Sequence, residues 1–142
     1  MSSDLNNEID TSFLLSVIQG KDKQPVIPKI TENNHLDHYL LTDQTLLKYN
    51  KWGIAEPQSG IKISPKKIEV VFVPLLIFDL LGHRVGYGKG FYDLFLTKCP
   101  KETIKVGLSY FEPIDRIMDI QSHDVRIDYG ITPNKIYEFS SF

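Results

Sequence analysis

The segment "KIEVVFVPLLIFD" constrains the fold more than any other part of the sequence. Ile68 and residues 70–73 are apolar almost without interruption, which is typical of a strand covered on both faces. Pro74 is expected to end this strand. A glycine-rich segment follows, and an apolar helical pattern begins near Gly90. We therefore expect a three-layer α/β fold, in which a mixed, mostly parallel central sheet carries helices on both faces.

The rest of the chain supplies further elements for such a fold. "DTSFLLSVIQGKDK" is predicted to be a helix that ends near Gly20, and "GFYDLFLTKC" a helix with Phe91, Leu94 and Phe95 on one face. Strands are predicted in "QPVIPKI", "HLDHYLLT", "TIKVGLSYF", "VRIDYGIT" and "NKIYEF". Pro25 and Pro28, in the first of these, favour strand ends or an edge position. "YNKWGIAEPQSG" lacks periodicity and is predicted to be a surface loop, with Trp52 as a lid or a cover for the core.

Length and composition narrow the class of protein. A chain of 142 residues fits a single domain over residues 1–142. A net charge of -2 argues against a general binder of nucleic acid or of an anionic membrane. Cys99 is the only cysteine, so no internal disulfide can form, and its apolar surroundings favour a packed thiol over a nucleophile. The first residues lack the pattern of a signal peptide and no apolar stretch reaches about 18 residues. We expect a cytoplasmic protein, more readily a monomer than an obligate oligomer.

The segment "GHRVGYGKGFYD", residues 82–93, has the composition of an anion site. Gly86, Gly88 and Gly90 allow successive backbone N–H groups to converge, and the start of a helix adds more unpaired donors. Arg84 and Lys89 add positive charge. At the end of a buried strand, this combination favours a polyphosphate ligand.

Two common phosphate motifs do not fit this segment. A P-loop needs Ser or Thr after its Gly-Lys pair, whereas Lys89 is followed by Gly90, and His83 occupies the place of its first glycine. The dinucleotide fingerprint needs two residues between its last two glycines, whereas Lys89 alone separates Gly88 from Gly90. A glycine-rich turn without a ligand remains an alternative, although such a turn does not require the charged residues around it.

Three kinds of side chain near the glycines leave alternatives open. The carboxylate of Asp93 can cap a backbone N–H group or hold a magnesium ion that bridges phosphates. Tyr87, Phe91 and Tyr92 can stack against a flat heterocycle, or one of them can enter the core. His83 is interpreted as a surface residue of the turn.

The stretch "VPLLIFDLLGHRVGYGKGFYD" closely resembles the signature of the 5-formyltetrahydrofolate cyclo-ligases, also called methenyltetrahydrofolate synthetases. Weaker agreement extends from "NEIDTSFLLSVIQGKDKQPVIPKI" through "GIAEP" to "HDVRIDYGIT". The resemblance implies an α/β fold with a central mixed sheet. It also implies a reaction in which ATP and Mg²⁺ convert 5-formyltetrahydrofolate into 5,10-methenyltetrahydrofolate, ADP and phosphate.

The resemblance assigns roles to residues by position. Arg84 and Lys89 are implied to be catalytic, because they meet the charge of the phosphate groups. The implied ATP contacts are Arg84, Val85, Gly86, Tyr87, Gly88, Lys89, Gly90, Phe91 and Tyr92. The implied folate contacts are Glu8, Tyr87, Gly88, Lys89, Gly90 and Phe91. Asp93 and Asp124 fall on the magnesium positions. Without the resemblance, Glu8 and Asp124 would be interpreted as surface carboxylates.

Two departures from the family pattern bear on activity. Family members begin with a helix that carries a basic ATP-binding motif, followed by a first strand. Neither is recognisable in this sequence, where "MSSDLNNEIDT" resembles the end of that strand and the loop after it. We therefore expect a chain that is short at its N-terminus relative to the family. Phe91 stands where relatives often have Tyr. The alternatives to an active cyclo-ligase are a module that binds nucleotide or folate without chemistry, and a sugar-phosphate or coenzyme A relative of similar topology.

Overall fold

The structure is a computed structural model that describes residues 12–32, 35–51, 53–85, 91–118 and 125–139. The chain divides into two compact units: the described residues up to Pro65 belong to the first, and those from Lys66 onward to the second. The single domain expected over the whole chain stays a prediction. The predictions for Glu8, Trp52, residues 86–90 and Asp124 lie outside the described residues.

The described residues of the first unit include a helix and an antiparallel sheet. Helix α1 (Ser12–Gly20) ends at the predicted glycine. Strands β1 (Val26–Ile30), β2 (Leu36–Leu40) and β5 (Lys62–Ile63) form a sheet in the order β1-β2-β5, with both pairings antiparallel. Pro28 lies on β1, at the edge of this sheet, where a residue without an N–H group does not interrupt a central ladder. Both predicted strands are confirmed, and so is an edge position for the strand that carries Pro28.

The predicted surface loop "YNKWGIAEPQSG" is wrong in part. Strands β3 (Leu47–Tyr49) and β4 (Ala55–Pro57) form an antiparallel hairpin across it. Glu56 on β4 is 7 % exposed, and its Oε2 accepts a hydrogen bond of 2.7 Å from the backbone N–H of Ile30. The Glu56 carboxylate therefore provides an acceptor for a backbone N–H group of the edge strand β1. The two residues are 26 positions apart in the sequence.

The second unit is built on a mixed sheet of four strands. These are β6 (Val70–Pro74), β9 (Ile104–Leu108), β10 (Tyr129–Ile131) and β11 (Ile136–Glu138), in the order β11-β10-β9-β6. The pairings β6/β9 and β9/β10 are parallel, and β10/β11 is antiparallel. Val71 and Val73 on β6 are buried but Val70 is 42 % exposed. Burial therefore alternates along this strand, and the prediction of a strand covered on both faces is wrong at Val70. The α/β class with a mixed sheet agrees with the prediction, and the three-layer arrangement stays a prediction.

Between β6 and β9 the chain forms a short hairpin and a helix. The hairpin pairs β7 (Ile77–Phe78) with β8 (Arg84–Val85), and helix α2 (Phe91–Lys98) returns the chain to the parallel strand β9. On α2, Phe95 and Leu96 are buried and Leu94 is 40 % exposed, so the predicted buried face is wrong at Leu94. The apolar core of this unit consists of Ile68, Val71, Val73, Leu75, Phe78, Phe95, Leu96, Val106, Leu108, Ile117 and Ile127.

The described helices are short. α1 has nine residues and α2 has eight. Within the described residues, no helix has the length and apolar character needed to cross a membrane.

Candidate active site

The loop between β7 and β8 is built around Asp79, whose side chain is fully buried. Its Oδ1 accepts hydrogen bonds of 2.9 Å from the backbone N–H groups of Leu81 and His83. Gly82 in the same loop has a φ of +86°, which lies in the left-handed region that favours glycine. A Cβ at this position would also lie 2.9 Å from the carbonyl oxygen of Ile127. The loop therefore depends on both the carboxylate and the glycine.

The second oxygen of Asp79 joins this loop to a later part of the unit. Oδ2 accepts a hydrogen bond of 3.0 Å from the N–H of Ile117 and lies 3.2 Å from Nδ1 of His83. Burial alone raises the pKa of the Asp79 carboxyl, but the hydrogen bonds from Ile117, His83 and Leu81 outweigh it and lower the pKa below its usual value. Asp79 is thus an ionised carboxylate that organises the loop from inside.

Arg84 on β8 and Asp93 in the first turn of α2 form an ion pair across the two ends of the glycine-rich segment. Nη2 of Arg84 lies 2.6 Å from Oδ1 of Asp93, which also accepts a hydrogen bond of 3.2 Å from the N–H of Val125. The side chain of Arg84 is 5 % exposed and that of Asp93 is 22 % exposed. Nε of Arg84 is buried and has no hydrogen-bond partner among the described residues.

The structure brings together two of the residues singled out in the sequence. Arg84, predicted to meet phosphate, contacts Asp93, predicted to cap a helix or to hold magnesium. Both partners of Asp93 lie outside α2, so these two bonds do not cap that helix. Val85 and Tyr92 are described on β8 and α2, and Phe91 is the first residue of α2. Outside the described residues lie Glu8, Gly86, Tyr87, Gly88, Lys89, Gly90 and Asp124.

The sequence interpretation missed a second polar group beside this pair. His83 was interpreted as a surface turn residue, but its side chain is 14 % exposed and it bridges two others: Nδ1 faces Asp79, and Nε2 lies 3.1 Å from Nε of Arg126. Asp79 had a signal in the sequence, because an aspartate inside the apolar run "LLIFDLL" is expected to be buried with partners. No pattern in the sequence linked Arg126 to His83.

The described residues contain a cation and a carboxylate in contact, but no complete metal site. No group of three or more His, Cys, Asp or Glu side chains within these residues could hold a metal ion. Cys99 is half-buried, and burial raises the pKa of its thiol despite an opposing effect of Lys105. A raised pKa reduces the thiolate fraction, in agreement with the interpretation of Cys99 as a packed thiol. The chemistry that these residues support is the binding of an anion or of a cation–anion complex.

Comparison with known proteins identifies relatives that match most of the chain. The model of the 5-formyltetrahydrofolate cyclo-ligase family matches residues 2–133. A probable 5-formyltetrahydrofolate cyclo-ligase of Schizosaccharomyces pombe is 32% identical over 144 aligned residues, covering 91% of this chain and 71% of the relative. The 5-formyltetrahydrofolate cyclo-ligase of Mus musculus is 29% identical, covering 87% of this chain and 67% of the relative.

The fold has relatives among solved structures. The structure of 5,10-methenyltetrahydrofolate synthetase from Aquifex aeolicus superposes with a TM-score of 0.76 at 28% sequence identity, covering 95% of this chain and 68% of that one. The fold, the family match and the curated relatives agree with one another and with the resemblance found in "VPLLIFDLLGHRVGYGKGFYD". This chain therefore belongs to the 5-formyltetrahydrofolate cyclo-ligase family, a family of ligases.

Proposed function

We propose that this chain catalyses the ATP- and magnesium-dependent cyclisation of 5-formyltetrahydrofolate to 5,10-methenyltetrahydrofolate, with release of ADP and phosphate. Family membership supports the type of ligase and the folate substrate. The single observation that carries the proposal is the ion pair of Arg84 and Asp93. It holds a buried cation and a carboxylate together at the two ends of the glycine-rich segment, where the sequence predicts phosphate binding.

The proposed reaction replaces a poor leaving group with a good one. The formyl oxygen attacks the γ-phosphorus of ATP, a new P–O bond forms, and the bond to the β-phosphate oxygen breaks so that ADP leaves. The neighbouring folate nitrogen then attacks the formyl carbon and loses its proton. That attack closes the ring by forming the C–N bond, and the C–O bond then breaks so that phosphate leaves. The task of the protein is to hold the two reactants together and to offset the developing negative charge.

Arg84 is suited to the second part of this task. Its guanidinium is removed from water, one of its nitrogens is paired with Asp93, and Nε has no partner among the described residues. A buried donor without a partner costs about 1–3 kcal/mol. An anionic phosphate oxygen is a strong acceptor for such a donor, since charge-assisted hydrogen bonds are about twice as strong as neutral ones. We therefore assign Arg84 to the phosphate groups of ATP.

The carboxylate of Asp93 fits the metal-binding role that the resemblance gives it. Its hydrogen bonds to described residues all fall on Oδ1, which leaves Oδ2 for a ligand. Carboxylate oxygens are the protein ligands that magnesium prefers, usually one or two of them together with phosphate oxygens. Asp93 and Asp124 would hold the ion. Magnesium bound there would neutralise part of the charge of the phosphate groups.

The remaining assignments rest on the resemblance. Lys89 and the glycines at 86, 88 and 90 would enclose the phosphates. Glu8 and residues 87–91 would border the folate. We also propose that the protein acts as a cytoplasmic monomer.

Replacement of Lys89 tests the phosphate loop. Lys89→Ala removes a full positive charge from the proposed γ-phosphate site, and loss of a donor of this kind costs roughly 100-fold in turnover. We expect kcat/KM for ATP to fall by about that factor in a steady-state assay of methenyl product, while the thermal unfolding midpoint stays within about 1 °C, because in the proposed role the charge acts on ATP and not on the fold.

The matched control is Lys101→Ala, because Lys101 is an exposed lysine in the same unit. It is expected to leave turnover unchanged. Equal turnover in Lys89→Ala and in the parent chain would remove Lys89 from the mechanism. Binding of ATP and folate by the parent chain without any product would instead favour a non-catalytic binding module.

A further inference from the structure

The proton positions of His83 can be derived from its two neighbours. Nε of Arg126 lies 3.1 Å from Nε2 of His83. A guanidinium donates hydrogen bonds and cannot accept them, so Nε2 must be the acceptor and carries no proton. The ring proton therefore resides on Nδ1, which lies 3.2 Å from Oδ2 of Asp79 and donates to it. The two contacts thus define a single tautomer of the His83 ring, with the proton on Nδ1.

Backbone hydrogen bonds fix the orientation of the Asp79 carboxylate. Three backbone N–H groups, those of Leu81, His83 and Ile117, hold its two oxygens at 2.9 to 3.0 Å. A carboxylate bound on both oxygens cannot rotate without the loss of these bonds. The orientation of the His83 ring, and with it the position of Nε2, is therefore set from the interior of the unit.

Residues 125–127 form hydrogen bonds to the hairpin of β7 and β8 and to α2. The N–H of Val125 donates to Oδ1 of Asp93, the side chain of Arg126 donates to His83, and the N–H of Ile127 donates to the carbonyl oxygen of Gly82 at 2.9 Å. Of the three donors in residues 125–127, the outer two are backbone N–H groups and the middle one is a side chain. Within residues 125–127, Arg126 is thus the residue whose anchor depends on its side chain.

We propose that His83 is a positioning residue: the chain of contacts from Asp79 through His83 to Arg126 holds residues 125–127 in the register at which Val125 orients the Asp93 carboxylate. This inference rests on the proposed function, because it concerns the carboxylate that we assign to magnesium. It adds to that function a pair of residues that touch neither substrate nor metal. His83 and Arg126 act through Val125 on Asp93.

The first test measures metal binding without turnover. Mn²⁺ serves as the probe, in the presence of ADP and without folate, and its binding is followed by electron paramagnetic resonance. His83→Leu removes the acceptor for Arg126, and loss of such an outer contact typically weakens metal binding by 10-fold or more. We expect the dissociation constant for Mn²⁺ to rise about 10-fold. His83→Gln, whose side-chain oxygen can accept from Arg126, should restore most of the affinity.

A second variant removes the donor of the contact between Arg126 and His83. Arg126→Met leaves the bond between Asp79 and His83 in place, so it tests the proposal even if His83→Leu fails to fold. We expect the same rise of about 10-fold, and no further rise when both substitutions are combined, since the two residues act as one unit. His35→Leu, which replaces an exposed histidine of the first unit, is the control and should leave Mn²⁺ binding unchanged.

Nuclear magnetic resonance tests the tautomer directly. The ¹⁵N signals of His83, assigned by their absence in His83→Gln, should show a protonated Nδ1 and an unprotonated Nε2. A proton on Nε2, unchanged Mn²⁺ binding in both single variants, or additive effects in the double variant would overturn the proposal. If the tautomer and the Mn²⁺ results are as expected but no methenyl product forms, the proposed function fails and the positioning role stands.

Discussion

Arg84 and Asp93 lie nine positions apart in the sequence, and their side chains meet at 2.6 Å. The sequence predicted a phosphate-directed role for the first and a cap or magnesium role for the second, but not their contact. The spacing of apolar residues predicts where α2 begins. The rotamer of a long arginine side chain, by contrast, depends on the residues that surround it in the folded protein. The contact also accounts for the burial of Arg84, because a charge removed from water requires a partner.

The histidines show the same limit of prediction at the level of single residues. His83 followed a glycine in a polar segment and was expected at the surface, yet Asp79 and Arg126 enclose it. Arg126 lies 43 positions away, and no local pattern indicates a contact over such a distance. The buried state of Asp79, by contrast, could be predicted from its apolar neighbours.

His38 on β2 provides a prediction about acid stability. It is 8 % exposed, and burial lowers its pKa to about 4, against an opposing effect of Asp37. Because the folded-state pKa is depressed, the stabilising contribution is complete above the unfolded value of 6.5 and is lost as the pH falls toward 4. We expect the free energy of unfolding to decrease by about 2 kcal/mol between pH 7 and pH 5 from this residue alone. Urea unfolding at several pH values measures the decrease.

The contribution of His38 is isolated by two variants. His38→Gln cannot gain a proton in this range, so its stability should change less between pH 7 and pH 5, by about the same 2 kcal/mol. His35→Gln replaces an exposed histidine of the same unit and should keep the pH dependence of the parent. If His38→Gln and the parent chain showed parallel curves, burial of the neutral ring would not be the cause.

At the scale of elements, β10 packs against the hairpin of β7 and β8 at Gly130, which has no side chain. A Cβ on Gly130 would lie 2.5 Å from Cε2 of Phe78. Phe78 is fully buried and meets the rings of Tyr137 and Phe139 at centroid distances of 5.6 and 6.0 Å, so it has little room to move. We expect Gly130→Ala to lower the free energy of unfolding by about 1–3 kcal/mol, as measured by urea titration.

Gly20 provides the control for this substitution, because a Cβ there would have no neighbour within 4 Å. Gly20→Ala adds the same methyl group at the end of α1 and should change stability by less than about 0.5 kcal/mol. Equal urea midpoints for the two variants would show that Phe78 can yield, and the account of packing between β10 and the hairpin would be wrong.

The predictions of elements succeeded where periodic apolar residues or continuous apolar runs determine the structure. The strands β1, β2, β6, β9, β10 and β11 and both helices were predicted from such patterns. The hairpin of β3 and β4 was missed because its residues show no alternation, and because Glu56 is a residue type that is seldom buried. Its burial depends on the N–H of Ile30, a partner 26 residues away that only the folded chain brings close.

At the scale of the whole molecule, the family match covers residues 2–133 and the chain spans about 70% of its curated relatives in S. pombe and mouse. The sequence signature between residues 73 and 93 sufficed to predict this family. The polar contacts of the site followed only from the structure, because they join residues that lie apart in the sequence: Arg84 contacts Asp93, Val125 donates to Asp93, and Ile117 donates to Asp79.

The most direct measurement of the central claim is a count of products. The purified chain is incubated with 5-formyltetrahydrofolate, ATP and Mg²⁺, and the methenyl chromophore, ADP and phosphate are quantified together. The proposed function predicts one ADP and one phosphate for each methenyl group formed, and no product when ATP or Mg²⁺ is omitted. Binding of both substrates without product, or formation of product without consumption of ATP, would contradict it.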